Sequence, residues 1–140
     1  MKVKTFEDLQ VLQDARTFVK SIYELTSLEN FRKDYGLKDQ IQRAAVSIMN
    51  NIAEGFERDN NKEFRNFLGY AKGSAGEVRS MLFVAIDLNY ISKDKFDENY
   101  KQAINVITQI SNFKKYLYNY AVKEKVNKMK MFIIHLLSIN

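Results

Sequence analysis

The sequence predicts an all-α protein, an antiparallel up-down-up-down four-helix bundle, and three observations carry that expectation. Proline is absent and only five glycines occur in 140 residues, and helix interiors reject both. Apolar side chains recur at helical spacing in four separate stretches. The stretches are joined by short connections, which leave neighbouring helices antiparallel.

The first helix is expected from Thr5, an N-cap with Asp8 three residues on, to about Thr26. Val11, Leu12, Ala15, Phe18, Val19, Ile22 and Tyr23 form its inward face. A polar loop, SLENFRKDYG, follows. The second helix spans about Lys38 to Gly55, with Leu37, Ile41, Ala45, Ile48, Ile52 and Phe56 on one side. Gly55 is expected to end it in the left-handed conformation. The third opens at Asn60, with Glu63 placed for a reciprocal cap, and reaches about Asn89. Its core side carries Phe64, Phe67, Leu68, Ala71, Ala75, Val78, Leu82 and Ile86. Ser92 caps the fourth, with Ile91 and Phe96 at the spacing of a hydrophobic staple. That helix turns Phe96, Tyr100, Ala103, Ile107, Ile110 and Leu117 inward and is expected to fray around Val122.

One domain over residues 1–123 accounts for these elements, followed by a basic and then apolar tail over 124–140. The last stretch, MFIIHLLSIN, reads either as a short extra helix on a neighbouring subunit or as a disordered end. Cysteine is absent, which excludes disulfides and thiolate metal sites and suits a reducing cytoplasm. The start, MKVKTFEDLQ, lacks the apolar run of a secretion signal, and no segment is long enough to span a bilayer. No membrane partner is expected. Residues 114–130 hold six lysines and one glutamate, which accounts for the whole net charge of +5. Such a segment suits a polyanion partner, and equally serves solubility.

The second helix gathers Gln40, Arg43, Ser47, Asn50, Asn51 and Glu54 into a polar stripe. The first reading is a structural network that sets helix register, with Glu77 and Arg79 as partners for the separated charges of Arg43 and Glu54. Nucleic-acid contact ranks second and catalysis last, because a serine nucleophile would lack a base. On the third helix Arg65, Lys72 and Arg79 recur every seven residues, with Arg58 just before them. Gly69, Gly73 and Gly76 lie among these cations, so bare backbone flanked by positive charge could receive a phosphate chain. Small residues on one face would equally let two helices approach closely. Beyond, Phe113, Tyr116, Tyr118 and Tyr120 interleave with Lys114, Lys115, Lys123 and Lys125, a pattern that can stack unpaired bases and hold phosphates. It also fits the last turns of an amphipathic helix.

Val46 and Ala53 on the second helix, and Tyr70, Met81, Val84 and Leu88 on the third, lie outside the core stripes. Two apolar seams exceed what one bundle buries, and a homo-oligomer is expected. No metal-ligand cluster, phosphate-binding loop or nucleophile–base pair can be read, and the only histidine is His135. No enzyme activity, cofactor or metal is expected.

Three stretches, FEDLQVLQDAR (Phe6–Arg16), YGLKDQIQRAAVSIMNNIAEG (Tyr35–Gly55) and KEFRNFLGYAKGSAGEVRSML (Lys62–Leu82), resemble the family encoded in intervening sequences of bacterial 23S ribosomal RNA genes. The resemblance spans about residues 5–120. It implies an antiparallel four-helix bundle that assembles into a ring, typically a pentamer. The architecture is also similar to the accessory protein of diversity-generating retroelements, a basic pentameric barrel that binds nucleic acid and a reverse transcriptase. Met49 stands where the family often has proline, Lys38 where a threonine usually caps, and Leu12 in place of a common tryptophan. The partners expected are therefore further copies of the chain, with RNA or DNA, or another protein, as the external one.

Overall fold

A computed structural model describes residues 3–139. Met1, Lys2 and Asn140, which the leader and tail readings include, lie outside the described residues. Among the described residues every regular element is helical: a single 3-10 turn at Phe6–Asp8, then α1 (Gln10–Thr26), α2 (Glu29–Lys33), α3 (Tyr35–Glu57), α4 (Asn61–Asp87) and α5 (Lys93–Ser138). The core lies where α1 packs on α3 and α5, and α4 packs on the same two helices. Phe18, Ile22, Ile41, Ile48, Ile52, Leu68, Val78, Leu82, Val106 and Ile110 fill it. Burying each such side chain is worth roughly 1.5–3 kcal/mol before ordering costs.

Several boundaries differ from the sequence-based expectation, each for a local reason. The Thr5/Asp8 motif does form, with the Asp8 carboxylate accepting from the Lys4 and Thr5 amides at 2.9 and 3.1 Å. It closes only the 3-10 turn, because Leu9 is extended (φ −77°, ψ 122°) and α1 starts after it. Within the polar loop, Phe31 is wholly buried and anchors the extra helix α2. Asp34 then caps α3, which starts at Tyr35, three residues before the expected Lys38, its Oδ1 accepting from the Leu37 amide at 3.1 Å.

Gly55 is not a left-handed cap. It sits inside α3, which runs on to Glu57, and no glycine has positive φ. A Cβ there would lie 2.7 Å from Phe67 Cβ and 3.0 Å from Phe64 Cδ1. Close approach of α4 to α3, not backbone conformation, is what asks for glycine. The left-handed residue is instead Asn89 (φ 59°), which turns the chain between α4 and α5. Asn60 and Ser92 cap α4 and α5 through the Glu63 and Lys95 amides.

Tyr23 is exposed rather than inward, and Leu25 and Thr26 take the buried positions at the end of α1. Thr26 is held there by Gln42, whose Nε2 donates to its Oγ1 at 2.9 Å. Met81, read from the sequence as an outward contact residue, is buried. The core stripe of α4 is wider than the spacing suggested, and takes in Ala85 as well.

Helix α5 does not fray at Val122. Nothing from there to Ser138 breaks a helix, and lysine, leucine and methionine favour one. Every described residue beyond Ala121 is exposed, so α5 extends past the packed helices by about 25 Å at 1.5 Å per residue. No helix among the described residues is long and apolar enough to cross a membrane.

Candidate nucleic-acid interface

Helices α4 and α5 run in opposite directions, because Phe83 meets Phe96 at one end while Arg65 meets Tyr118 at the other. This brings Arg65 and Arg79, two of the three heptad-spaced cations of α4, against aromatic residues of α5. The Arg65 guanidinium lies 5.4 Å from the Tyr118 ring centroid, and that of Arg79 lies 5.5 Å from Tyr100. Arg65 Nε also donates to Asn61 Oδ1 at 3.1 Å, and Asn61 Nδ2 donates to the Leu117 carbonyl at 3.3 Å. Two ties therefore hold the arginine in place. Cation–ring contacts of this kind are worth about 0.5–1 kcal/mol when exposed, enough to bias an arginine rotamer.

Between these helices lies an open cleft of about 630 Å³, lined by Arg65, Asn66, Gly69, Tyr70, Lys114, Lys115 and Tyr118. No carboxylate lines it. The Lys114 ammonium stands over the bare backbone of Gly69, 3.2 Å from where a Cβ would be. Tyr70 and Tyr118 are exposed beside it. Three cations, two rings and an uncovered stretch of helix thus converge from residues far apart in sequence.

The other predicted cations are placed differently. Lys72 is exposed midway along α4. Arg58 is an ion-pair partner of Glu54 at 3.0 Å and covers the Phe67 ring at 5.1 Å, so its charge is offset within the fold. Lys123 and Lys125 sit on the projecting part of α5, outside the cleft. Gly73 and Gly76 face open space.

The polar stripe of α3 divides. Ser47 Oγ and Ser74 Oγ are 2.9 Å apart, and Asn51 Nδ2 donates to both the carbonyl and the hydroxyl of Ser47 at 2.8 and 2.9 Å. These three residues tie α3 to α4. The charged members do not join them: Arg43 pairs with Asp39 at 2.8 Å and Glu54 with Arg58, one turn away on or beside their own helix. Glu77 and Arg79 are not their partners, because four-residue neighbours lie closer than any facing helix. Gln40, Asn50 and Glu77 are exposed. Of the apolar seam, Tyr70, Val84 and Leu88 remain exposed and Val46 and Ala53 half-buried.

Sequence reasoning missed other polar ties. The Asp14 carboxylate accepts from Gln10 at 2.9 Å, from Asn105 at 3.3 Å and from Gln109, linking α1 to α5. Partial burial raises the Asp14 pKa, but the hydrogen bonds from Gln109, Gln10 and Asn105 together hold it below the usual carboxylate value. Ser21 and Gln102 make a second α1–α5 tie. Nothing in the one-dimensional pattern pairs residues ninety positions apart.

The family model of the 23S rRNA-intervening sequence protein matches residues 7–112. Among solved structures, a protein of unknown function from the S23 ribosomal protein family of Bacteroides thetaiotaomicron VPI-5482 is similar in fold. Its TM-score is 0.71 at 24% identity, covering 75% of this chain and 98% of that one. No curated protein matches the chain.

Proposed function

The chain belongs to the 23S rRNA-intervening sequence protein family, and from that premise and the cleft we propose that it is a non-catalytic four-helix-bundle protein that binds single-stranded nucleic acid, RNA first. One observation carries the reading: Arg65, Lys114 and Lys115 converge with Tyr70 and Tyr118 over bare backbone, with no carboxylate in the lining. Cations hold the phosphate chain while exposed rings stack unpaired bases, each stacked base being worth about 1–3 kcal/mol. Duplex would leave the rings unused. A cytoplasmic setting fits a chain without cysteine.

Mobility shifts with an unstructured RNA oligonucleotide across salt concentrations test this. Three phosphate contacts give a slope of log affinity against log salt near −2, at about −0.7 per contact for single strands. Lys114→Glu with Lys115→Glu abolishes the shift. No binding at low salt, or binding that ignores this double variant, rejects the reading.

A homo-oligomer, with a pentameric ring as its form, is part of the same proposal. Val84 and Leu88 leave an exposed apolar strip on α4 on the same side as the uncovered Gly73 and Gly76, and close helix packing against a second copy would cover it while leaving Tyr70 to the cleft. Light scattering that returns the mass of one chain at micromolar concentration rejects this part. The same strip favours a second reading, a scaffold for a different protein. Co-purification of a stoichiometric protein without nucleic acid would select it.

A further inference from the structure

The projecting part of α5 changes character along its length. Between Val122 and Lys130, Val122, Val126 and Met129 share one side at about 100° per residue. Lys123 and Lys130 lie on one flank of that side, Lys125 and Lys128 on the opposite flank. From 131 to 139 the helix is apolar on every side: Ile133 and Leu136 continue the front, Phe132 and Ile139 lie to one flank, and Met131 and Ile134 behind. All are exposed, Ile134 at 59% and Leu137 at 72%. The polar exceptions are His135 and Ser138, and the Ser138 hydroxyl is already satisfied by donating to the His135 carbonyl at 2.8 Å.

A helix apolar all round is suited to burial on all sides, not to packing along one seam. One partner helix would cover the front and leave Phe132, Ile134 and Ile139 in water. A second copy would also set lysine flanks against lysine flanks. A lipid leaflet covers every side at once. The stretch 131–139 reaches about 13 Å at 1.5 Å per residue, enough to pass from the headgroups into the hydrocarbon of one leaflet. The lysines then fall at the headgroups, where their stems extend along apolar surface and their ammonium groups reach phosphate.

We propose that residues 131–139 enter one leaflet of an anionic bilayer, with Lys123, Lys125, Lys128 and Lys130 as a collar on the lipid phosphates. The sequence argued against a membrane because no segment spans one.

Co-sedimentation of the full chain with vesicles of equal parts phosphatidylcholine and phosphatidylglycerol tests the proposal. Binding is expected at low salt, and at least about a hundredfold weaker binding to phosphatidylcholine alone, from the loss of four lysine–surface attractions. Ile134→Gln with Leu137→Gln, which adds no charge, removes binding to both vesicles without touching the packed helices, as unchanged circular dichroism would verify. The chain staying in solution with anionic vesicles overturns the proposal. So does vesicle binding that survives this double variant, because the lysines alone would then suffice. Replacing the four collar lysines by glutamine gives a third reading. If RNA affinity falls and vesicle binding does not, the collar belongs to nucleic acid and the proposal fails. Concentration-dependent self-association lost in Val126→Lys, with no vesicle binding, would assign the helix to a second copy instead. None of these outcomes bears on Arg65, Lys114 and Lys115, so the cleft is tested separately.

Discussion

The Tyr90 hydroxyl donates to Asp34 Oδ2 at 3.0 Å, while the other oxygen of the same carboxylate caps α3. One side chain therefore joins the start of α3 to the turn between α4 and α5, across 56 positions. Tyr90 also packs on the buried Phe31, with ring centroids 5.5 Å apart.

Removing that carboxylate should cost stability twice. Asp34→Ala loses a helix cap, worth about 1 kcal/mol, and the hydrogen bond from Tyr90 as well. Tyr90→Phe should lose only the second, and chemical denaturation of the two variants measures the difference. The hydrogen bond to Asp34, then burial and the charge of Asp34, hold the Tyr90 pKa above its usual 10.0. A raised pKa means the contact contributes below the ordinary value and is lost as pH rises through the folded one. In an ultraviolet titration, the component that Tyr90→Phe removes should move to lower pH in Asp34→Ala.

Gly55→Ala should destabilise the fold although alanine favours helix by about 1 kcal/mol. The new methyl would meet Phe67 Cβ at 2.7 Å and Phe64 Cδ1 at 3.0 Å. Overpacking of this kind costs roughly 1–3 kcal/mol, and neither neighbour is the loose end of a flexible chain. A melting temperature equal to or above that of the wild type would contradict the close approach of α4.

Asp14 should make stability fall in acid. Its folded pKa lies below the usual 3.8, so its contribution is present above that value and lost as pH drops through the lower, folded one. Below about pH 4 the wild type should lose stability more steeply than Asp14→Asn. Identical acid unfolding profiles would remove Asp14 as an acid-sensitive tie between α1 and α5.

Gly69→Ala separates stability from binding. The added carbon would stand 3.2 Å from the Lys114 ammonium, a flexible tip that can move aside. Thermal stability should rise, by up to about 1 kcal/mol from helix propensity, while RNA affinity falls several-fold as the cleft floor is covered. Unchanged affinity would show that no ligand approaches the backbone there.

Helix existence was legible because the apolar period is local: Ile41, Ala45, Ile48 and Ile52 declare a buried face by spacing alone. The Asn60 and Ser92 caps were legible for the same reason, since cap and capped amide lie three residues apart. The end of α5 was missed because a solvated helix has no apolar partner to reveal where it stops. Gly55 was misread because one residue type serves both a left-handed turn and a close helix contact.

By itself, then, the sequence determined the helical class, most of the core and the concentration of lysine late in the chain. These follow from interactions within a few residues. The tertiary structure alone decided that Arg65 lies on Tyr118, that the Lys114 ammonium stands beside the bare backbone of Gly69, and that Arg58 is paired with Glu54. Which cation is free and which is paired depends on distances between side chains brought together by packing, and helical spacing carries no record of them.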